Sequence, residues 1–140
     1  MKKRVLILCT KNSCRSQMAE GVLRHFGSDK FEVFSAGTVA SHVNANAIRV
    51  MKEIGIDISS QNSKNLEGFL DQPFDFVITV CDNARESCPY FPGAKHQLHW
   101  SFPDPPQTEE RDEVYLREFR KVRDMILEKF KQAAEEGIPV

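Results

Sequence analysis

The chain has 140 residues and a formal net charge of -1, from 19 basic and 20 acidic side chains. That length implies one domain over residues 1–140, with room for a core that needs no disulfide or metal staple. Hydrophobic residues at 41% and charged residues at 28% exclude intrinsic disorder, a collagen-like repeat and a membrane-spanning chain, and the balanced charge gives no sign of a nucleic-acid surface.

Lys2-Lys3-Arg4 ahead of Val5-Leu6-Ile7-Leu8 imitates a secretory leader. The apolar run is too short for one, and polar Thr10-Lys11-Asn12-Ser13 follows at once. The segment Arg4 to Cys9 therefore reads as a buried first strand in a cytoplasmic protein. In that reducing compartment, four cysteines point to catalysis, redox chemistry or metal binding rather than cross-links. Next, Ser16 to Phe26 places Met18, Ala19, Val22, Leu23 and Phe26 on one helical face, stopped by Gly27-Ser28-Asp29. Phe31 to Ser35 is a second strand ended by Gly37. Asn44 to Ile54 has helical spacing with Gly55 as its cap. Phe74 to Val80 is a third strand and Gln97 to Trp100 a short fourth. A final helix is expected from a Thr108 N-cap to about Glu136, with Tyr115, Phe119, Val122, Ile126 and Phe130 on one stripe and Gly137 and Pro139 closing it. Strands alternating with helices predict an α/β domain with a parallel sheet covered on both faces. The site of such a sheet lies at the carboxyl ends of its strands, here Cys9, Cys81 and the loop after Trp100.

Cys9-Thr10-Lys11-Asn12-Ser13-Cys14-Arg15-Ser16 joins the first strand to the first helix. A loop of this kind wraps its backbone N–H groups round a tetrahedral oxyanion at the positive end of the following helix. Arg15 is placed to grip two oxygens at once. The same field favours a Cys9 thiolate, as it does for cysteines beside cations and helix N-termini, and Ser16 can donate to that sulfur. The competing reading is a buried cysteine followed by a surface arginine. A bare C-x5-R pattern is common, but a strand before it, an amphipathic helix after it and Ser16 favour the anion loop.

The C-x5-R-S pattern, Ser16-Gln17-Met18-Ala19-Glu20-Gly21, Ser35-Ala36-Gly37 and Asp104-Pro105 together resemble the low-molecular-weight protein tyrosine phosphatase superfamily. Within it the chain is most similar to the thioredoxin-coupled arsenate reductases, from Val5 to the last helix. The resemblance implies a four-stranded parallel sheet flanked by helices, Cys9 as nucleophile, Thr10 to Ser16 as the oxyanion loop, and Asp104 as the general acid. By itself Asp104 in Phe102-Pro103-Asp104-Pro105 reads as an Asp-Pro turn. Cys81 and Cys88 match the relay cysteines of the reductases. The implied course is arsenate capture by Cys9, a Cys9–Cys81 disulfide with release of arsenite, and then a Cys81–Cys88 disulfide presented to thioredoxin. If Asp82 to Cys88 is helical in the reduced protein, the two Cα atoms stand ~10 Å apart. A disulfide tolerates about 7 Å, so residues 82–92 are expected to unwind on oxidation.

Asn12, Glu20 and Ser35 are implied as a supporting network. Some arsenate reductases hold potassium there with an acidic side chain where this chain has Lys64, whose ammonium can substitute for the ion, so no potassium requirement is expected; separately, no metal and no cofactor is expected. Lys11 stands where relatives carry glycine. Either it sits at a strained positive φ or it adds charge at the rim of the pocket. Cys14 is expected to be a packing or loop-shaping residue, and Trp100 and Phe102 core and anchoring residues. Two other readings of the thiols stay open: a zinc site from Cys81, Cys88, His96 and His99, whose spacing fits poorly, and plain core cysteines. The expected activity is arsenate reduction by a monomer with thioredoxin as electron donor. Its alternatives are a phosphatase acting through a Cys9 phosphoenzyme and a non-catalytic oxyanion or arsenite binder.

Overall fold

The apolar run after Lys3-Arg4 becomes β1 (Lys3–Cys9), in which every residue from Val5 onward is buried. A strand buried on both faces belongs inside a parallel sheet, and β1 lies there, between β2 (Phe31–Gly37) and β3 (Phe74–Thr79). Beyond β3 comes β4 (Ala94–His99), a largely exposed edge, giving the order β2-β1-β3-β4 with all pairs parallel. The computed structural model describes residues 1–82 and 90–139. Cys88 and residues 83–89, the heart of the expected redox rearrangement, lie outside the described residues.

Alternation along β1 divides the core. Val5, Ile7 and Cys9 face α1 (Arg15–Gly27), α2 (Ala45–Glu53) and α3 (Glu113–Glu136), meeting Met18, Val50 and Phe119 among others. Leu6 and Leu8 face the opposite way, towards Phe74, Val77 and Phe91, and that side is covered by the short 3-10 helix Leu66–Phe69. Helical segments thus lie on both faces of a four-stranded parallel sheet. Phe119 and Phe130 are fully buried, each contributing roughly 1.5–3 kcal/mol of apolar burial. No helix among the described residues is long and apolar enough to cross a membrane.

The first three strands and first two helices fall where the hydrophobic pattern puts them, within one or two residues. Asn44 caps α2 by accepting from the N–H groups of Asn46 and Ala47, and Gly55 follows the helix at φ 81. Three expectations change. β4 starts at Ala94 rather than Gln97, because its ladder with β3 begins at Phe74 opposite Ala94. The 3-10 helix is new; Asn65 caps it by accepting from the N–H of Glu67. The last helix starts at Glu113 behind an Asp112 cap, not at Thr108. Thr108 Oγ1 accepts instead from the Glu110 N–H, closing a local turn, and its carbonyl and that of Glu110 are taken by α2 side chains. Leu116, not Tyr115, heads the buried stripe of α3.

Candidate active site

β1 ends at Cys9 and α1 begins at Arg15, and the five residues between them form an irregular loop at the carboxyl edge of the sheet. The loop is held from outside itself. The Thr10 carbonyl accepts from the Val39 N–H at 3.0 Å and from Thr38 Oγ1 at 3.1 Å; the Lys11 carbonyl accepts from Ser63 Oγ at 3.0 Å; the Ser13 carbonyl accepts from the Asn44 N–H at 3.1 Å. The end of β2 presses against it. A Cβ added to Gly37 would stand 2.6 Å from the Thr10 oxygen and 2.8 Å from the Asn12 nitrogen, both backbone. Gly37→Ala is therefore expected to cost about 1–3 kcal/mol. Gly68→Ala, where nothing lies within 4 Å, should be close to neutral; urea midpoints of the two variants check the contrast.

Asn12 is the turning point of the loop. It is fully buried, and among the described residues it alone of the non-glycines has a positive φ, 52. Asparagine tolerates that conformation better than most residues, and Lys11 avoids it. Lys11 is exposed and lines the cavity described below. Asn12 Nδ2 donates to Ser16 Oγ at 2.8 Å and to Ser35 Oγ at 2.9 Å, while Asn12 Oδ1 accepts from Gln17 Nε2 at 2.9 Å and from the Lys64 N–H at 2.8 Å. Ser35 Oγ in turn donates to Glu20. Glu20, only 3% exposed, pairs with Arg24 at 2.8 Å and lies 3.8 Å from Lys64 Nζ. Burial lowers the Lys64 ammonium below the usual lysine value, against the opposing pull of Glu20. Gln17 was not anticipated; its Nε2 binds both oxygens of Asn12 and the Asn62 carbonyl, yet in sequence it is one polar residue on an amphipathic helix.

In front of this scaffold lies a cavity of about 80 Å³ lined by Cys9, Thr10, Lys11, Ser13, Cys14, Arg15, Asp104 and Gln107. Six of the eight belong to the expected loop and its flanks, whereas Asn12 and Ser16 sit in the buried network behind it. Arg15 is 3% exposed; it donates to the Phe102 carbonyl at 3.2 Å and reaches Asp104 Oδ1 at 3.4 Å. The Phe102 N–H is bonded to the Val80 carbonyl, which ties the Asp104 loop to the end of β3. Gln107 Nε2 donates to Asp104 Oδ1 at 2.8 Å; its distance of three positions from Asp104 was the only sequence clue. The site thus offers a thiol, a guanidinium and a carboxyl group round one small cavity.

The four cysteines divide. Cys9 and Cys14 are buried and not disulfide-bonded. Burial pushes the Cys14 thiol up to about 12, so it stays protonated at neutral pH. Cys81, fully buried just past the end of β3, is disulfide-bonded. β3 neighbours β1, with Thr79 in register with Leu8 and the Val80 N–H bonded to the Leu8 carbonyl. Cys9 and Cys81 therefore leave adjacent strands at the same edge. Of the residues weighed for zinc, Cys81 is occupied, His96 stacks on Phe76, and His99 Nδ1 lies 2.6 Å from Thr79 Oγ1. Among the described residues no group of three His, Cys, Asp or Glu side chains is placed to hold a metal ion.

Comparison with known proteins agrees with this geometry. Residues 4–137 match the low molecular weight phosphotyrosine protein phosphatase family. The chain is 48% identical over 136 residues to the arsenate reductase of Halalkalibacterium halodurans, covering 97% of this chain and 98% of that one. It is 42% identical over 135 residues to the arsenate reductase of Bacillus subtilis, covering 96% and 97%. Among solved structures, an arsenate reductase in the phosphate binding state superposes with a TM-score of 0.80 at 35% identity, covering 99% of this chain and 100% of that one. The chain belongs to the low molecular weight phosphotyrosine protein phosphatase family, and within it stands beside the arsenate reductases.

Proposed function

We propose that the protein reduces arsenate to arsenite through a relay of Cys9, Cys81 and Cys88, with electrons from thioredoxin. The observation that carries this reading is the meeting of Cys9, Arg15 and Asp104 round one cavity, with a disulfide-bonded Cys81 at the same sheet edge. Relatives named arsenate reductase at 40–48% identity over nearly the whole chain support it.

In the proposed course the Cys9 thiolate attacks arsenic(V), and one arsenate oxygen leaves as water after protonation by Asp104. Arg15 holds two of the remaining oxygens. The Cys81 sulfur then attacks Cys9 Sγ. The electron pair of the S–As bond passes to arsenic, which departs as arsenite, and a Cys9–Cys81 disulfide remains. Cys88 attacks Cys81, returning Cys9 as a thiolate and leaving a Cys81–Cys88 disulfide for reduction by the thioredoxin dithiol. That Cys81 is disulfide-bonded and Cys9 is not is consistent with this course. Cys14, kept protonated by burial, takes no part.

The network behind the loop needs no added cation. Glu20 already faces the guanidinium of Arg24 and the ammonium of Lys64, and Lys64 also donates to the Asn62 carbonyl. A potassium ion there would add a third positive charge beside one carboxylate. Lys11, exposed at the mouth, adds positive charge where an anion enters.

The phosphatase alternative shares Cys9, Arg15 and Asp104 but gives Cys81 and Cys88 nothing to do. Cys81→Ser and Cys88→Ser separate the two. Each is expected to abolish multiple turnover of arsenate with thioredoxin while leaving aryl-phosphate hydrolysis, which needs no electrons, largely unchanged. A folded Cys88→Ser variant that loses both activities together would contradict this division of labour.

A further inference from the structure

The start of α2 does more than begin a helix. Asn44 is 4% exposed and Asn46 fully buried, and both turn their side-chain amides to the loop that follows Asp104. Asn44 Nδ2 donates to the Thr108 carbonyl at 3.2 Å; Asn46 Nδ2 donates to the same carbonyl at 3.1 Å and to that of Glu110 at 3.0 Å. Around them, Arg49 donates to the Glu109 carbonyl at 2.8 Å and to Asn46 Oδ1 at 2.6 Å, and the Ala45 N–H donates to the Glu109 carboxylate at 2.8 Å. The other end of the same helix start holds the Cys9 loop, through the Asn44 N–H and the Ser13 carbonyl.

Buried amides are uncommon unless their hydrogen bonds are met, and both donors of Asn46 are used on one loop. The loop is also met by His42, whose Nε2 lies 3.0 Å from Glu109 Oε1. From Pro103 to Asp112 only Pro105 is buried, so apolar packing cannot fix its position. It is anchored on one side of Asp104 by Arg15 and Val80 at Phe102, and on the other by the α2 amides at Thr108 to Glu110. Asp104 is itself exposed and rests on Gln107, the residue next to Thr108.

We propose that Asn44 and Asn46 are positioning residues that set the distance between the Cys9 loop and the Asp104 loop, so that the acid meets the oxygen leaving the atom bound to Cys9. The proposal rests on the nucleophile and acid roles given above. Neither asparagine lines the cavity, so each acts through the backbone it holds. A misplaced acid matters most when the departing oxygen is a strong base.

The test is hydrolysis of phenyl phosphate and 4-nitrophenyl phosphate by the full chain, which needs Cys9 and Asp104 but no reductant. Its outcome is therefore independent of whether arsenate is reduced. Asn46→Ala is expected to lower kcat on phenyl phosphate about 10- to 100-fold, to lower it much less on 4-nitrophenyl phosphate, and to leave KM nearly unchanged. Asn46→Asp keeps the shape and the Arg49 acceptor but loses both donors. It should behave alike, and it supplies the answer if the alanine variant fails to fold. In an Asp104→Asn background the Asn46 change should add almost nothing, because the group it positions is already disabled. Equal losses on both substrates, or a full further loss in the Asp104→Asn background, would overturn the proposal. So would a wild-type chain inert toward both substrates, since the acid role would then have no support.

Discussion

Replacing Cys9 by serine is expected to abolish arsenate reduction and aryl-phosphate hydrolysis together, by about 10⁴-fold or more in kcat. In the proposed course both reactions use a sulfur anion at the end of β1, and a serine hydroxyl in the same place is not ionised at neutral pH. Cys9 lies 4% exposed at the strand end, beside the core formed with α1. The substitution is nearly isosteric, so the fold should persist, with a penalty of about 1–3 kcal/mol for the buried hydroxyl at most. Cys14 cannot take over. It lines the same cavity, but burial holds its thiol protonated. Cys14→Ser should therefore retain substantial activity. Measuring kcat on both substrates, with thermal unfolding as a check on folding, tests the pair. Residual activity in Cys9→Ser that disappears on alkylation of Cys14 would count against the assignment.

Arg15→Lys is expected to lower turnover about 10²- to 10³-fold. A lysine keeps the charge but gives up the planar fork that matches two oxygens. In this structure it gives up more. One guanidinium nitrogen of Arg15 donates to the Phe102 carbonyl at 3.2 Å while another reaches Asp104 at 3.4 Å, so the same side chain that faces the cavity also braces the acid loop. A single ammonium cannot serve both places. The loss should therefore appear in kcat as well as in phosphate or arsenate affinity, and competitive inhibition by inorganic phosphate measures the latter. An Arg15→Lys variant with unchanged kcat and only weakened anion affinity would mean that the bracing contact is irrelevant.

Much of this was legible in the sequence, for reasons that differ by residue. The Val5 to Leu8 run and the spacing of Met18, Val22 and Leu23 report burial directly, so β1 and α1 were placed by pattern alone. The loop between them was recognisable because its chemistry depends on residue type and order. Other features depend on backbone neighbours that no local pattern records. β4 reaches back to Ala94 because β3 offers a ladder there. The segment from Thr108 to Arg111 looked helical by its cap, yet its carbonyls are held by Asn46 and Arg49 across the molecule. Asn44 and Asn46 read as a helix start, and only the fold reveals what their amides hold. Lys11 posed a question of backbone conformation, and the answer lay next door, where Asn12 takes the positive φ.

In the proposed mechanism the thiols form an electron relay, and the protein is not merely a phosphatase with spare cysteines. Steady-state turnover with arsenate, thioredoxin, thioredoxin reductase and NADPH tests it most directly. NADPH oxidation is expected to require both arsenate and thioredoxin, with arsenite formed in equal amount, because each arsenate takes one electron pair through Cys81 and Cys88. No arsenate-dependent NADPH oxidation, from a folded protein that hydrolyses aryl phosphates briskly, would contradict the relay.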